Sequence, residues 1–66
     1  MTVQEFVLLE YPNAKCILEC STDHLDDWEG PALYDYIIRE DGKAISDYAH
    51  TPYDAWVACK KEIESR

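Results

Sequence analysis

Residues 32–49 read ALYDYIIREDGKAISDYA, and this stretch decides the fold. Tyr34, Tyr36 and Ile38 alternate with Asp35, Ile37 and Arg39, the period of two that sends successive side chains to opposite faces of a strand. Asp41-Gly42 is a two-residue turn signal, because a tight hairpin turn needs positive φ at both positions and these residues tolerate it. Residues 43–49 (KAISDYA) then return as the partner strand. Leu33 and Ile37 leave apolar surface on the second face, to be covered by a helix or by a partner.

Downstream, Thr51 is placed to cap a helix, Pro52 suits its first turn, and Asp54 follows the cap by three residues. Pro52, Ala55, Trp56, Cys59 and Ile63 recur at helical spacing as one apolar stripe. Lys60 and Lys61 lie toward the C-terminal end, where the helix dipole favours positive charge. The pattern predicts a helix over 52–65.

Upstream, residues 14–20 (AKCILEC) read as another strand, with Cys16, Leu18 and Cys20 on one face and Lys15, Ile17 and Glu19 on the other. Residues 2–10 fit two patterns. Val3, Glu5, Val7 and Leu9 suit a strand, whereas Thr2 and Glu5 suit a capping box with Met1 and Phe6 as its hydrophobic staple. Tyr11-Pro12-Asn13-Ala14 looks like a helix exit into a strand, so helix is preferred. The expected fold is therefore α+β: one small domain, residues 1–66, in the order α-β-β-β-α, with a three-stranded antiparallel sheet and its helices packed on one face. Double-stranded-RNA-binding domains share that order, but they grip phosphates with basic residues at the start of their last helix. Here that position reads His50-Thr51-Pro52-Tyr53-Asp54, so direct nucleic-acid binding is not expected.

Charge supports that exclusion. Of fourteen acidic residues, eight lie among residues 1–38, where Lys15 is the one base. A chain of 66 residues at net −8 is self-repelling and cannot hold phosphates by counterion release. A large charged partner should be basic, and basic surfaces mostly hold nucleic acid. Apolar residues make up 47% of the chain, with two Trp, five Tyr and one Phe, enough for a small core. No signal peptide follows Met1, no apolar run approaches the ~18 residues that span a bilayer, and the three cysteines make an odd number. A cytoplasmic chain without disulfides, cofactor or membrane contact is expected, as a monomer or weak dimer.

The segment 21–31 (STDHLDDWEGP) gathers Asp23, Asp26, Asp27 and Glu29 around His24 and Trp28. With Trp28 exposed, it would anchor in a basic groove. With Trp28 and Leu25 tucked into the core, it would be a solvated connector. Glu19, Asp35 and Asp47 offer a row of carboxylates on the outer sheet face. Residues two apart on a strand lie about 6.6–6.8 Å apart, loosely commensurate with phosphates advancing by roughly 3.4 Å. The competing reading is a solvated antiparallel face, which needs polar residues anyway. Cys16, Cys20 and His24, with His50 or Cys59, raise the question of zinc, but two cysteines four apart on a strand lie ~13 Å apart. A Cys59–His50 nucleophile pair is disfavoured because Cys59 lies on the buried stripe. The chain has no Gly-rich phosphate loop and no calcium-loop pattern. A non-enzymatic protein is expected.

In size, acidity and lack of catalytic motifs the chain resembles phage-encoded anti-CRISPR proteins of the kind that inhibit type I surveillance complexes (Cascade). The resemblance implies a stoichiometric inhibitor that occupies a Lys/Arg surface of a host complex and blocks DNA loading. Glu19, Asp23, Asp26, Asp27, Glu29 and Asp35 would supply the charge, and Trp28, Tyr34 or Tyr48 the packed centre. The alternative is a small phage accessory or regulatory interaction module, docking through an apolar face at Ile17, Leu33, Ile37 and Ile45.

Overall fold

Thr2 and Thr51 each start a helix by the same device. The Thr2 hydroxyl accepts from the Glu5 N–H at 3.1 Å, and the Thr51 hydroxyl accepts from the Asp54 N–H at 3.0 Å. In this computed structural model, which describes residues 1–23 and 25–66, the helices are α1 (Val3–Glu10) and α2 (Pro52–Glu64). Between them run strands β1 (Ala14–Cys20), β2 (Tyr34–Glu40) and β3 (Lys43–Ala44), giving the order α-β-β-β-α. The sheet is antiparallel with β2 at its centre.

The Asp41-Gly42 turn forms with φ of 51° and 84°, the paired positive values that a right-twisted hairpin requires. The return strand is shorter than the expected 43–49. Pairing of Arg39 with Ala44 and of Tyr36 with Ala49 leaves a bulge between them. Within it the Ser46 hydroxyl accepts from the Ile38 N–H at 3.0 Å, while the Ile45 N–H donates to the Ile38 carbonyl at 2.9 Å. A side chain thus completes the ladder, and Ile45 turns to pack on the core.

That core lies between the helices and one sheet face. Val7, Ala14, Ile38, Ala55, Trp56 and Cys59 form it, with Tyr36, Cys16, Leu8 and Ile63 packed around them. The helical stripe is buried as the spacing implied, except that Pro52 is exposed. The expected Met1–Phe6 staple does not form, since Met1 is 85% exposed. The Lys60 ammonium instead sits 5.3 Å from the Phe6 ring centre and ties α1 to α2.

Cys59 has no exposed surface, and burial, with Glu62 nearby, pushes its thiol from the ordinary 9.0 up to about 11. Below pH 9 both folded and unfolded chains keep this proton. Between pH 9 and 11 the unfolded chain releases it and the folded chain holds it, so stability falls as pH rises through that window. The loss is roughly 1.4 kcal/mol for each pH unit crossed. Urea midpoints measured from pH 8 upward are expected to fall more steeply in the native chain than in Cys59→Ala. Equal slopes would show that the tyrosines account for the whole effect.

Candidate partner-binding site

On the sheet face away from the helices, the register sets Lys15 opposite Arg39, Ile17 opposite Ile37, and Glu19 opposite Asp35. Two carboxylates on one rung repel, and each is answered. Arg39 reaches diagonally across the Ile17–Ile37 rung to Glu19, donating from Nε at 3.1 Å and from Nη2 at 2.9 Å. Its Nη1 also donates to the Gly42 carbonyl at 3.0 Å, bracing the turn. The bond to Glu19 is the main cause that holds the guanidinium further above its ordinary value. Asp35 accepts from the Ser21 hydroxyl at 2.7 Å and pairs with His50 Nδ1 at 3.2 Å. Glu19 and Asp35 are therefore half-buried and internally partnered.

The same arrangement narrows the apolar face on which the interaction-module alternative rests to Ile17 and Leu33. Ile37 is only 4% exposed, lying under the Arg39–Glu19 pair, and Ile45 belongs to the core side. Ile17 and Leu33 remain partly exposed but are not joined through them. Asp47 does not extend the Glu19–Asp35 row. It lines a separate recess with Glu40, Glu62 and Arg66, beside the last turn of α2.

The loop between β1 and β2 is the most acidic surface, and it is ordered from its base. The Ser21 N–H donates to the Leu33 carbonyl at 2.8 Å, and the buried Thr22 hydroxyl accepts from the Leu33 N–H at 3.4 Å. Successive turns follow, from Leu25 N–H to the Thr22 carbonyl and from Trp28 N–H to the Leu25 carbonyl. At the tip the Trp28 indole N–H donates to the Pro31 carbonyl at 2.9 Å. The indole lies over Gly30, where a Cβ would come within 3.0 Å of the ring. Glycine here is what lets the ring lie flat on its own loop.

Trp28 is 43% exposed and Leu25 41%, so neither is tucked into the core, and the connector reading fails on that point. The core tryptophan is Trp56. Asp23, Asp26, Asp27 and Glu29 are all exposed, and among the described residues none of them forms an ion pair. Of the seven residues expected to bind a partner, the structure groups five on this loop and turns two, Glu19 and Asp35, to holding the sheet. Ser21, Thr22 and His50 are the positioning residues that sequence reasoning missed. The Ser21-Thr22 pair just after a strand was the available signal, being short hydroxyl side chains suited to closing a loop.

Cys16 and Cys20 lie on one face of an unbroken β1, and burial raises the Cys16 thiol. Cys20 meets the Thr22 hydroxyl at 3.5 Å. Among the described residues no group of three His, Cys, Asp or Glu side chains is placed to hold a metal, and His24 lies outside them. Among the same residues, no helix is long and apolar enough to cross a membrane. The chain matches no family model, no curated protein and no solved structure.

Proposed function

We propose that this protein is a non-catalytic inhibitor that seats its acidic loop in a basic, nucleic-acid-binding surface of a host defence complex of the Cascade type. It would act in the host cytoplasm as a stoichiometric competitor of target DNA. One observation carries the reading: the loop that presents four exposed carboxylates, Asp23, Asp26, Asp27 and Glu29, also presents a half-exposed indole whose orientation is already fixed by that loop. The carboxylates steer the chain toward focused positive potential and raise the association rate. Charge alone gives salt-sensitive binding, so durable occupation needs a packed centre. Trp28 supplies one, and because its ring is held before binding, little side-chain freedom is lost. Glu19 and Asp35 act through the sheet that carries the loop.

The test is a gel-shift competition with purified type I surveillance complex, a duplex bearing its recognition motif, and increasing amounts of this protein. Loss of the shifted band near one equivalent per complex is the expected result, with affinity falling steeply as salt is raised. An undisturbed band at large excess would overturn the reading against that target. Competition insensitive to salt would replace the acidic loop by an apolar contact and favour the interaction-module alternative.

A further inference from the structure

We infer that β1 is the seam of a symmetric dimer, in which a second copy of this chain pairs antiparallel with its open edge and the two sheets become one. β1 is an edge strand seven residues long, without proline or bulge. Edges of that length are usually blunted by charge or cover, because their free backbone groups recruit other strands. Here the middle of the edge carries Ile17 at 37% and Leu18 at 54% exposure.

The direction of the free backbone groups follows from the register. Ser21 donates to Leu33 directly opposite it, so Lys15, Ile17 and Glu19 turn their N–H and C=O groups toward β2. Tyr36, on the alternate set of β2, exchanges its hydrogen bonds with Ala49 on the other side, which agrees. Cys16, Leu18 and Cys20 must then direct theirs outward. The Ala14 N–H is already given to the Tyr11 carbonyl, and among the described residues no bond outside the sheet ladder takes the N–H of Cys16, Leu18 or Cys20.

The strand is self-complementary about Ile17. In an antiparallel pairing centred there, Cys16 faces Leu18 of the second copy, and these two exchange both backbone hydrogen bonds. Ile17 faces itself, and Lys15 faces Glu19, at the wide rungs where side chains approach closest. Opposite charges thus meet on both flanks of an apolar centre, in a chain that is otherwise strongly acidic. Each Glu19 would sit between its own Arg39 and the second copy's lysine. A parallel or shifted pairing loses this match, so the pattern selects a closed two-fold contact over an open fibril. The seam uses none of the exposed loop carboxylates, and it stands or falls separately from the proposed function.

The test is sedimentation velocity across concentration, at about 0.15 M salt where charges are screened beyond about 8 Å. The native chain is expected to dimerise. Lys15→Glu and Glu19→Lys should each weaken self-association at least about tenfold, because like charges then meet on both flanks. An equimolar mixture of the two variants should recover a heterodimer, since every flank is then again of opposite sign. Hydrogen exchange on the native chain gives a second readout that does not depend on Glu19→Lys folding. The amides of Cys16 and Leu18 should gain protection as the dimer fills, whereas that of Ile17, already bonded to β2, should change little. A chain that stays monomeric to about 1 mM, or a dimer whose Cys16 and Leu18 amides remain unprotected, would overturn the inference.

Discussion

The double reversal Asp26→Lys/Asp27→Lys is expected to weaken competition for the basic surface at least about tenfold while the thermal midpoint moves by no more than about 3 °C. The two residues are adjacent at the tip of the loop and exposed, next to Trp28. Reversal cuts the net charge from −8 to −4 and puts two positive charges against a positive groove. Lost steering slows association, and like charges held close at an interface cost more than the attraction they replace. A tenfold loss corresponds to about 1.4 kcal/mol, modest for two reversed charges beside an aromatic anchor. Stability should hardly respond, because neither side chain caps a helix, packs on the core or forms an ion pair among the described residues. Exposed substitutions of that kind stay within about 0.5 kcal/mol. The measurement is a pair of titrations, competition binding and differential scanning calorimetry. Unchanged affinity would move the interface away from this loop, toward the second acidic group at Glu40, Asp41 and Asp47.

What the residues announced in advance was the part of the structure governed by local rules. The Asp41-Gly42 turn, the alternating strand read over 32–40 and the Thr51-Pro52 start of α2 each depend on a few adjacent residues, and each forms, the strand beginning at Tyr34 rather than at residue 32. The bulge in the return strand was hidden because its cause is a side chain, Ser46, standing in for a backbone acceptor. The fates of Glu19 and Asp35 were hidden for a different reason. Which residues face each other across β1 and β2 depends on a register set by the long intervening loop, and no local pattern fixes it. Shifted by one rung, Glu19 would not share a rung with Asp35.

The two tryptophans show the same limit most sharply. Each has an acidic residue within two positions and a proline or glycine within four, and composition gives no reason to bury one rather than the other. Trp56 is carried inward by a helical period already committed to the core. Trp28 has no period to follow, and its place depends on the bare backbone of Gly30 beneath the ring and on the Pro31 carbonyl. Five of the seven candidate residues therefore came together because they are contiguous in sequence, which is the one kind of site a sequence shows directly.

Truncating Trp56 should be the most damaging single change in the chain. It is 8% exposed and packs within a core cluster whose other members are Val7, Ala14, Ile38, Ala55 and Cys59. Apart from Ile38, these are small or medium side chains, so neighbouring groups have little reach with which to fill the space an indole leaves. Removing a buried Trp costs about 3–5 kcal/mol, transfer and cavity together. A domain of this length holds roughly 3–10 kcal/mol in all, from about 0.05–0.15 kcal/mol per residue. Trp56→Ala is thus expected to be largely unfolded or close to its midpoint at 25 °C, seen as loss of a cooperative thermal transition by circular dichroism. A second reporter lies one helical turn away. In the folded chain the buried thiol of Cys59, held up to about 11, should resist alkylation at neutral pH, and in Trp56→Ala it should react as an unfolded thiol does. If Trp56→Ala keeps a transition within a few degrees of the native chain and a protected Cys59, the core does not depend on Trp56, and α2 must be held to the sheet by the residues around it.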